Sequence, residues 1–219
     1  MSAAAWDVVV VGGGTAGMTA ARAAAAEGAR VALVEREAAL GGECTFTGCV
    51  PSKTLIEAAR LYRGLRRGAE LGITAEGLRL DFAALMAHKD AVVAEINRDE
   101  RPELFEQAGI RLLRGRAAFT GSHELAVDGA AHRFERAVIA TGSDPAVPAG
   151  IGLESVPHLT NQTVFGIPAL PARLAVLGGG PIGLELGQAF ARLGSEVTVL
   201  HSGSQLLPRE DPDVGALVA

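Results

Sequence analysis

Cysteine, aromatic residues and basic charge are all scarce in this chain of 219 residues. Two cysteines cannot build the disulfide framework of a small secreted domain, so a thiol role has to be local and chemical. Aromatic residues make up 4%, too few for the stacking platforms on which single-stranded nucleic acid lies. Lysine and arginine total 20 against 25 acidic residues, a net charge of −5. That balance argues against a nucleic acid or an anionic membrane surface as partner. From Val8 to Ala26 the only charge is Arg22. Asp7 stands before this stretch in place of a basic segment, and glycines break it at turn spacing, so it reads as neither signal peptide nor membrane span. These absences point to the cytoplasm. His88, His123, His132, His158 and His201 are scattered, whereas a closed zinc site gathers about four ligands, so no metal site is expected.

Glycine, by contrast, is abundant at 28 residues. Many glycines with few aromatics suit an α/β chain whose tight turns approach a nucleotide. Trp6–Val11 is a short apolar run that reads as a buried parallel strand. Gly12–Gly14 is a turn, Thr15–Glu27 an alanine-rich helix ended by Gly28, and Val31–Val34 the next strand. Ser52–Arg67 reads as a helix, with Leu55, Ala58, Ala59 and Tyr62 at spacings of three and four. Asp81–Ala108 reads as a longer helical region broken near Pro102. Arg111–Phe119, Glu124–Val127, His132–Phe134 and Arg136–Ala140 read as short strands. Pro145, Pro148, Gly150, Gly152 and Pro157 then mark a linker. A second strand–turn–helix–strand unit begins at Leu174–Leu177 and runs through Leu200, and Val214–Ala219 opens a further helix. This pattern divides the chain into 1–150 and 151–219, an α/β protein of two Rossmann-like units with the second incomplete.

The two units repeat one another. Gly12-Gly13-Gly14-Thr15-Ala16-Gly17 is followed by Glu35, and Gly178-Gly179-Gly180-Pro181-Ile182-Gly183 by His201; both gaps, 12 to 35 and 178 to 201, are 23 residues. One such motif is weak in a glycine-rich chain. Two, each after an apolar strand and before a helix, mark a pair of dinucleotide sites. Gly12 permits the tight turn, Gly14 lets the backbone approach a pyrophosphate, and Gly17 lets helix and strand pack closely. The helix N-terminus offers free N–H groups to the phosphates. Glu35, at a strand end, can accept both ribose hydroxyl protons. In the second unit Gly178, Gly180 and Gly183 repeat the geometry, but His201 replaces the acid. A carboxylate there would repel a 2′-phosphate, so its absence permits NADP and slightly favours NADPH over NADH, although no arginine is adjacent. A plain loop histidine remains an equal reading.

Both cysteines fall in Gly41-Gly42-Glu43-Cys44-Thr45-Phe46-Thr47-Gly48-Cys49-Val50-Pro51-Ser52-Lys53. Residues five apart on a regular helix are separated by about 7.5 Å of rise, and a disulfide wants Cα atoms roughly 4.4–6.8 Å apart. Cys44 and Cys49 therefore cannot be bonded on one undistorted helix, and Gly48 with the residues before Pro51 can supply an irregular first turn. Pro51 needs no N–H donor at a helix opening. Cys49 then lies by a helix N-terminus, where the dipole favours a thiolate, as either attack on a disulfide or charge donation to an oxidised flavin requires.

With these motifs in place the chain resembles the class I pyridine nucleotide–disulfide oxidoreductases, flavoproteins such as dihydrolipoamide dehydrogenase, glutathione reductase and mercuric reductase. The resemblance runs along the whole chain, and the Gly41–Lys53 motif is its most specific part. It implies FAD in the first unit, NAD(P)H in the second, and electrons passing from nicotinamide to flavin to the Cys44–Cys49 redox disulfide and on to a small-molecule disulfide or related substrate. By the same resemblance, Cys44 is the interchange thiol and Cys49 the charge-transfer thiol against the flavin. Lys53 lies near the flavin N5 edge, paired with Glu185. Gly42, Thr141 and Gly142 line the FAD site, and Ala117 contacts adenine through its backbone. The Cys-Thr-Phe-Thr-Gly-Cys interior is more similar to mercuric reductase and dihydrolipoamide dehydrogenase relatives than to glutathione reductase. Family members are roughly twice this length, so the chain is expected to be an N-terminal half whose full-length parent is a homodimer. Two other readings stay open, a non-catalytic flavin-binding remnant and a thiol redox sensor.

Overall fold

A computed structural model describes residues 6–218. The chain forms two compact units. Among the described residues, one comprises 6–49 together with Val93–His158, and the other Val50–Val92 together with 159–218. These units are divided differently from the sequence segments 1–150 and 151–219. The stretch 50–92 gathers with the second glycine-rich motif because its apolar stripe, Leu55, Ala59, Phe82, Leu85 and Met86, shares a core with Phe190.

The first unit is built on a six-stranded sheet. Its strands are β1 (Trp6–Val11), β2 (Val31–Glu35), β3 (Ile110–Arg114), β4 (Ala117–Gly121), β5 (Glu124–Val127) and β6 (Ala130–Ile139), ordered β3-β2-β1-β6-β5-β4. The β3-β2-β1 ladders are parallel, with Val10 opposite Leu33 and Leu33 opposite Leu112. Side chains alternate across the sheet with the period of two that a strand imposes. On one face Val10, Val31 and Leu33 pack with Met18, Ala21 and Phe105. On the other Val9, Ala32 and Val34 pack with Leu125, Val127 and Phe134. Helix α1 (Thr15–Ala26) crosses between β1 and β2, and Gly28 follows it at φ +82°. Ahead of β2, Arg30 bonds both oxygens of Asp7, and its guanidinium holds that carboxyl down at about 2.

Two expectations differ, whereas the helical region 81–108 breaks just ahead of Pro102 as expected. The run Arg111–Phe119 is two strands, not one. Gly115 sits at φ +137° with the Asp128 carboxylate where its Cβ would be, and Arg116 N–H donates to Asp128 Oδ1 (2.9 Å), so the chain turns between β3 and β4. His132–Phe134 and Arg136–Ala140 merge into the single strand β6. Its first half pairs antiparallel with β5 and its second half parallel with β1, so Glu135 interrupts nothing. The region 81–108 is α4 (Phe82–Asn97), a 3₁₀ turn at Arg98–Glu100 and α5 (Pro102–Gln107). The labels α2 (Gly42–Phe46) and α3 (Cys49–Arg67) cover the thiol segment and the helix after it.

The second unit pairs β7 (Arg173–Leu177) with β8 (Glu196–Leu200) in parallel, joined by α6 (Pro181–Leu193), and ends in α7 (Pro212–Val218). Lys89, 5% exposed, is compensated by Asp90 and by the Phe165 carbonyl at 2.8 Å, as a buried ammonium requires. No helix among the described residues is long and apolar enough to cross a membrane.

Two glycines separate packing from propensity. A Cβ on Gly17 would lie 1.8 Å from the Gly12 carbonyl oxygen, whereas one on Gly64, in the exposed middle of α3, would meet nothing within 4 Å. Gly17→Ala should destabilise the chain by about 2 kcal/mol or more through forced separation of helix and turn. Gly64→Ala should stabilise it by about 0.5–1 kcal/mol. Urea unfolding followed by circular dichroism checks both signs.

Candidate functional site

The first glycine turn is held from three sides. A Cβ on Gly12, at φ +108°, would strike the Ala140 carbonyl and come within 3.2 Å of Thr141 Cα, so Ala140 and Thr141 lie directly on this turn. Gly142 follows at φ +72°. Glu35 reaches back from the end of β2: Oε2 accepts the Gly13 N–H at 2.6 Å and Oε1 accepts the Glu37 N–H at 2.8 Å. A carboxylate has about four acceptor positions, so these two bonds leave room for hydroxyl donors. Gly14 caps α1 with extended backbone and no side-chain cap bond. The first N–H groups of α1 thus keep the free donor character of a helix start, which suits a diphosphate. The residues present fit an FAD pyrophosphate at this turn.

The thiol segment packs on the same turn. Gly41 N–H donates to the Gly13 carbonyl at 2.9 Å, Gly14 and Gly41 form an isolated parallel bridge, and a Cβ on Gly42 (φ +61°) would lie 2.7 Å from Gly14 Cα. Side chains at 41 or 42 would push the thiols off the nucleotide turn. Cys44 is on α2 and half-buried; Cys49 opens α3 and is exposed. Thr47 and Gly48 interrupt the two helices, Thr47 N–H closing α2 on the Glu43 carbonyl at 2.9 Å. A Cβ on Gly48 would sit 3.3 Å from Cys44 Cα. The chain therefore doubles back and brings the residue before Cys49 onto Cys44, the irregularity that a spacing of five demands. Helix α3 starts at Cys49 rather than at Ser52, so Pro51 falls in the first turn, where no N–H is needed.

In the second unit Lys53 Nζ donates to Glu185 Oε1, joining α3 to α6. The side chains are 60% and 42% exposed, and a pair this open contributes about 0–1 kcal/mol to stability. The second glycine turn copies the first. A Cβ on Gly183 would lie 2.3 Å from the Gly178 carbonyl, and Gly180 caps α6 without a side-chain bond. The Gly179 N–H points at His201 Nδ1 (3.3 Å), the counterpart of Gly13 and Glu35. That contact puts the ring proton on Nε2, which is buried and has no hydrogen-bond partner among the described residues. The uncapped helix start and this orphaned donor fit a dinucleotide here. Ala117, half-buried at the start of β4, pairs with Val127. Gly12, Gly14, Gly17, Glu35, Gly42, Thr141 and Gly142 thus share one locus of the first unit with the thiols, and Gly178, Gly180, Gly183 and His201 share one in the second.

Sequence reasoning missed a buttress behind the thiols. Thr45, 1% exposed, donates to Glu100 Oε1 at 2.9 Å; Asn97 Nδ2 donates to the Leu40 carbonyl at 2.7 Å and to Glu100 Oε2 at 3.1 Å. Glu100 lies 55 residues from Thr45 and belongs to no spacing pattern, so no local signal marks it.

Comparison with known proteins matches residues 6–219 to the family described as pyridine nucleotide-disulphide oxidoreductase. The mercuric reductase of Shigella flexneri is 41% identical over 225 residues, covering 99% of this chain and 39% of that protein. The mercuric reductase of Lysinibacillus sphaericus is 35% identical, covering 97% and 39%, and the mitochondrial dihydrolipoyl dehydrogenase of Pisum sativum 32% identical, covering 95% and 42%. Among solved structures, the Cu(II) complex of the HOCl-induced flavoprotein disulfide reductase RclA from Escherichia coli superposes with a TM-score of 0.81 at 33% identity, over 96% of this chain and 45% of that one. The chain spans about two fifths of the length of the curated relatives it matches.

Replacing Glu100 with Ala leaves the buried Thr45 hydroxyl without its acceptor. We expect a loss of about 1–3 kcal/mol in stability and a faster reaction of Cys44 with an aromatic disulfide reagent, read by stopped-flow absorbance and chemical denaturation.

Proposed function

The chain belongs to the pyridine nucleotide-disulphide oxidoreductases, and on that premise we propose that it is the FAD- and thiol-bearing part of an oxidoreductase that reduces a small-molecule disulfide or related substrate with NAD(P)H. The observation that carries this reading is the backbone contact of Gly13–Gly14 with Gly41–Gly42, which sets a thiol pair against a nucleotide turn.

In the proposed half-reaction the Cys44 thiolate attacks one sulfur of the substrate disulfide. The S–S bond breaks, one substrate thiolate leaves, and a mixed disulfide forms on Cys44. Cys49 then attacks the Cys44 sulfur, releasing the second thiolate and closing the Cys44–Cys49 bond. The substrate gains two electrons and the cysteine pair loses two. The order follows the family resemblance; Cys49 opens the 19-residue helix α3, whose N-terminal dipole suits the anionic sulfur of a charge-transfer thiol. When bound, FAD supplies the electron pair that reopens this disulfide, drawn from NAD(P)H. Glu35 would hold the ribose of that group and Gly12, Gly14 and Gly42 its pyrophosphate, Gly17 would keep the helix close enough to do so, and Thr141 and Gly142 would line its site. Lys53 would set a positive charge by it, oriented by Glu185. Ala117 would meet the adenine with its backbone. A nicotinamide dinucleotide would lie on Gly178, Gly180 and Gly183, with His201 at the ribose, where no carboxylate stands to repel a 2′-phosphate. We place the working protein in the cytoplasm, as a homodimer at full length.

The reduced chain mixed with 5,5′-dithiobis(2-nitrobenzoate) should release about two equivalents of chromophore and end without a free thiol. Cys49→Ser should release one and stop as a stable mixed disulfide, and Cys44→Ser should slow the first release by about tenfold or more. If Cys44→Ser reacts as fast as the parent chain, the interchange role belongs to Cys49. Titration with the two dinucleotides tests the second site: His201→Glu should shift the ratio of NADPH to NADH affinity toward NADH by about tenfold.

A further inference from the structure

The far ends of α3 and α6, both in the second unit, carry a concentration of positive charge that neither the thiols nor the glycine turns use. Arg63, Arg66 and Arg67 stand at spacings of three and four and share one face of α3. Arg192 and Gln188, four apart, share a face of α6. With Ala191 they line an open groove of about 390 Å³.

The charge in this groove is under-compensated. Arg67 is bound by Glu70, with Nη2 2.7 Å from Oε2 and Nε on both oxygens. That carboxyl is held below its usual range first by Arg67 and also by Arg63. Arg66 lies over the Tyr62 ring at 5.9 Å. Arg192 Nε is buried and has no hydrogen-bond partner among the described residues. Among the described residues no carboxylate bonds Arg63, Arg66 or Arg192, in a chain whose net charge is −5. Basic residues in a last helical turn complement the dipole, and both helices end here. That accounts for Arg66 and Arg67 at the end of α3 and for Arg192 at the end of α6. It does not account for Arg63, a like charge one turn from Arg67, nor for a buried donor with nothing to receive it, both of which oppose folding.

An anion in the groove would relieve both. Guanidinium forks bind phosphate oxygens two at a time in a planar arrangement. The three forks of Arg63, Arg66 and Arg192, which Glu70 does not bind, offer more donors than the oxygens of a single phosphate can take in that way. We propose that this groove binds a small oligophosphate, a molecule with two or more linked phosphate groups, at a site separate from both glycine turns. Arg192 provides the buried anchor, and Arg63 and Arg66 close from α3.

The test is calorimetric titration of the full chain with inorganic tripolyphosphate at low salt. The expected result is a saturable site whose affinity falls at least tenfold in the Arg66→Gln/Arg192→Gln variant, with an unchanged circular dichroism spectrum. If that variant does not fold, Arg66→Lys/Arg192→Lys keeps the charge but loses the fork, and a severalfold fall is expected. Adenosine triphosphate distinguishes the source: equal affinity marks an inorganic chain, and tighter binding marks a nucleotide. Unchanged affinity in the variants, heats that do not saturate, or citrate binding as tightly as tripolyphosphate would overturn the proposal.

Discussion

The contact on which most of this protein depends contains no side chain. The Gly12 carbonyl occupies the space where any other residue at 17 would carry its β-carbon. Because helix α1 approaches that closely, its first turn presents bare N–H groups, and the turn before it stays narrow enough for Ala140, Glu35 and Gly41 to meet it from different directions. The second unit repeats the contact at Gly183 and Gly178. Hydrophobic burial drives both units, but it does not choose this spacing. The absent methyl groups do.

The thiol segment inherits its position from that turn. Gly41 and Gly42 take conformations at positive φ and lie flat on Gly13 and Gly14, and the five-residue helix that follows is too short to persist without support. Support comes from Thr45, Asn97 and Glu100, a polar cluster in which one carboxylate receives two donors. The arrangement is costly in conformational entropy, and the proposed thiol–disulfide chemistry would have a use for it: two sulfurs that bond and part need fixed backbones and a short, irregular path between them.

Much of this was legible in the residues. Two glycine motifs with equal spacing to Glu35 and His201, apolar strands ahead of each and a helix after each, located the turns and their partners. The requirement that Cys44 and Cys49 leave a regular helix was also legible, and the break at Thr47–Gly48 meets it. What was not legible depends on contacts distant in sequence. Gly115 breaks a strand because of Asp128, thirteen residues on. The stretch 50–92 gathers with 159–219 because of Phe190. Glu100 matters through Thr45 and Asn97, and the arginines of α3 line one groove with Arg192 of α6. Helical periodicity reported that each face exists, but not what lies opposite it.

Strand β6 has a consequence of another kind. Its residues 130–133 ladder with β5 and its residues 134–139 with β1, without a bulge between them. A single continuous pleat therefore sets the phase of the hairpin and of the parallel sheet together. Adding or removing one residue near position 134 would turn every side chain of one half over to the opposite face. Lineages of this fold are accordingly free to lengthen the turns at 121–123 and 128–129, while the ten residues of β6 should keep their number through any amount of substitution.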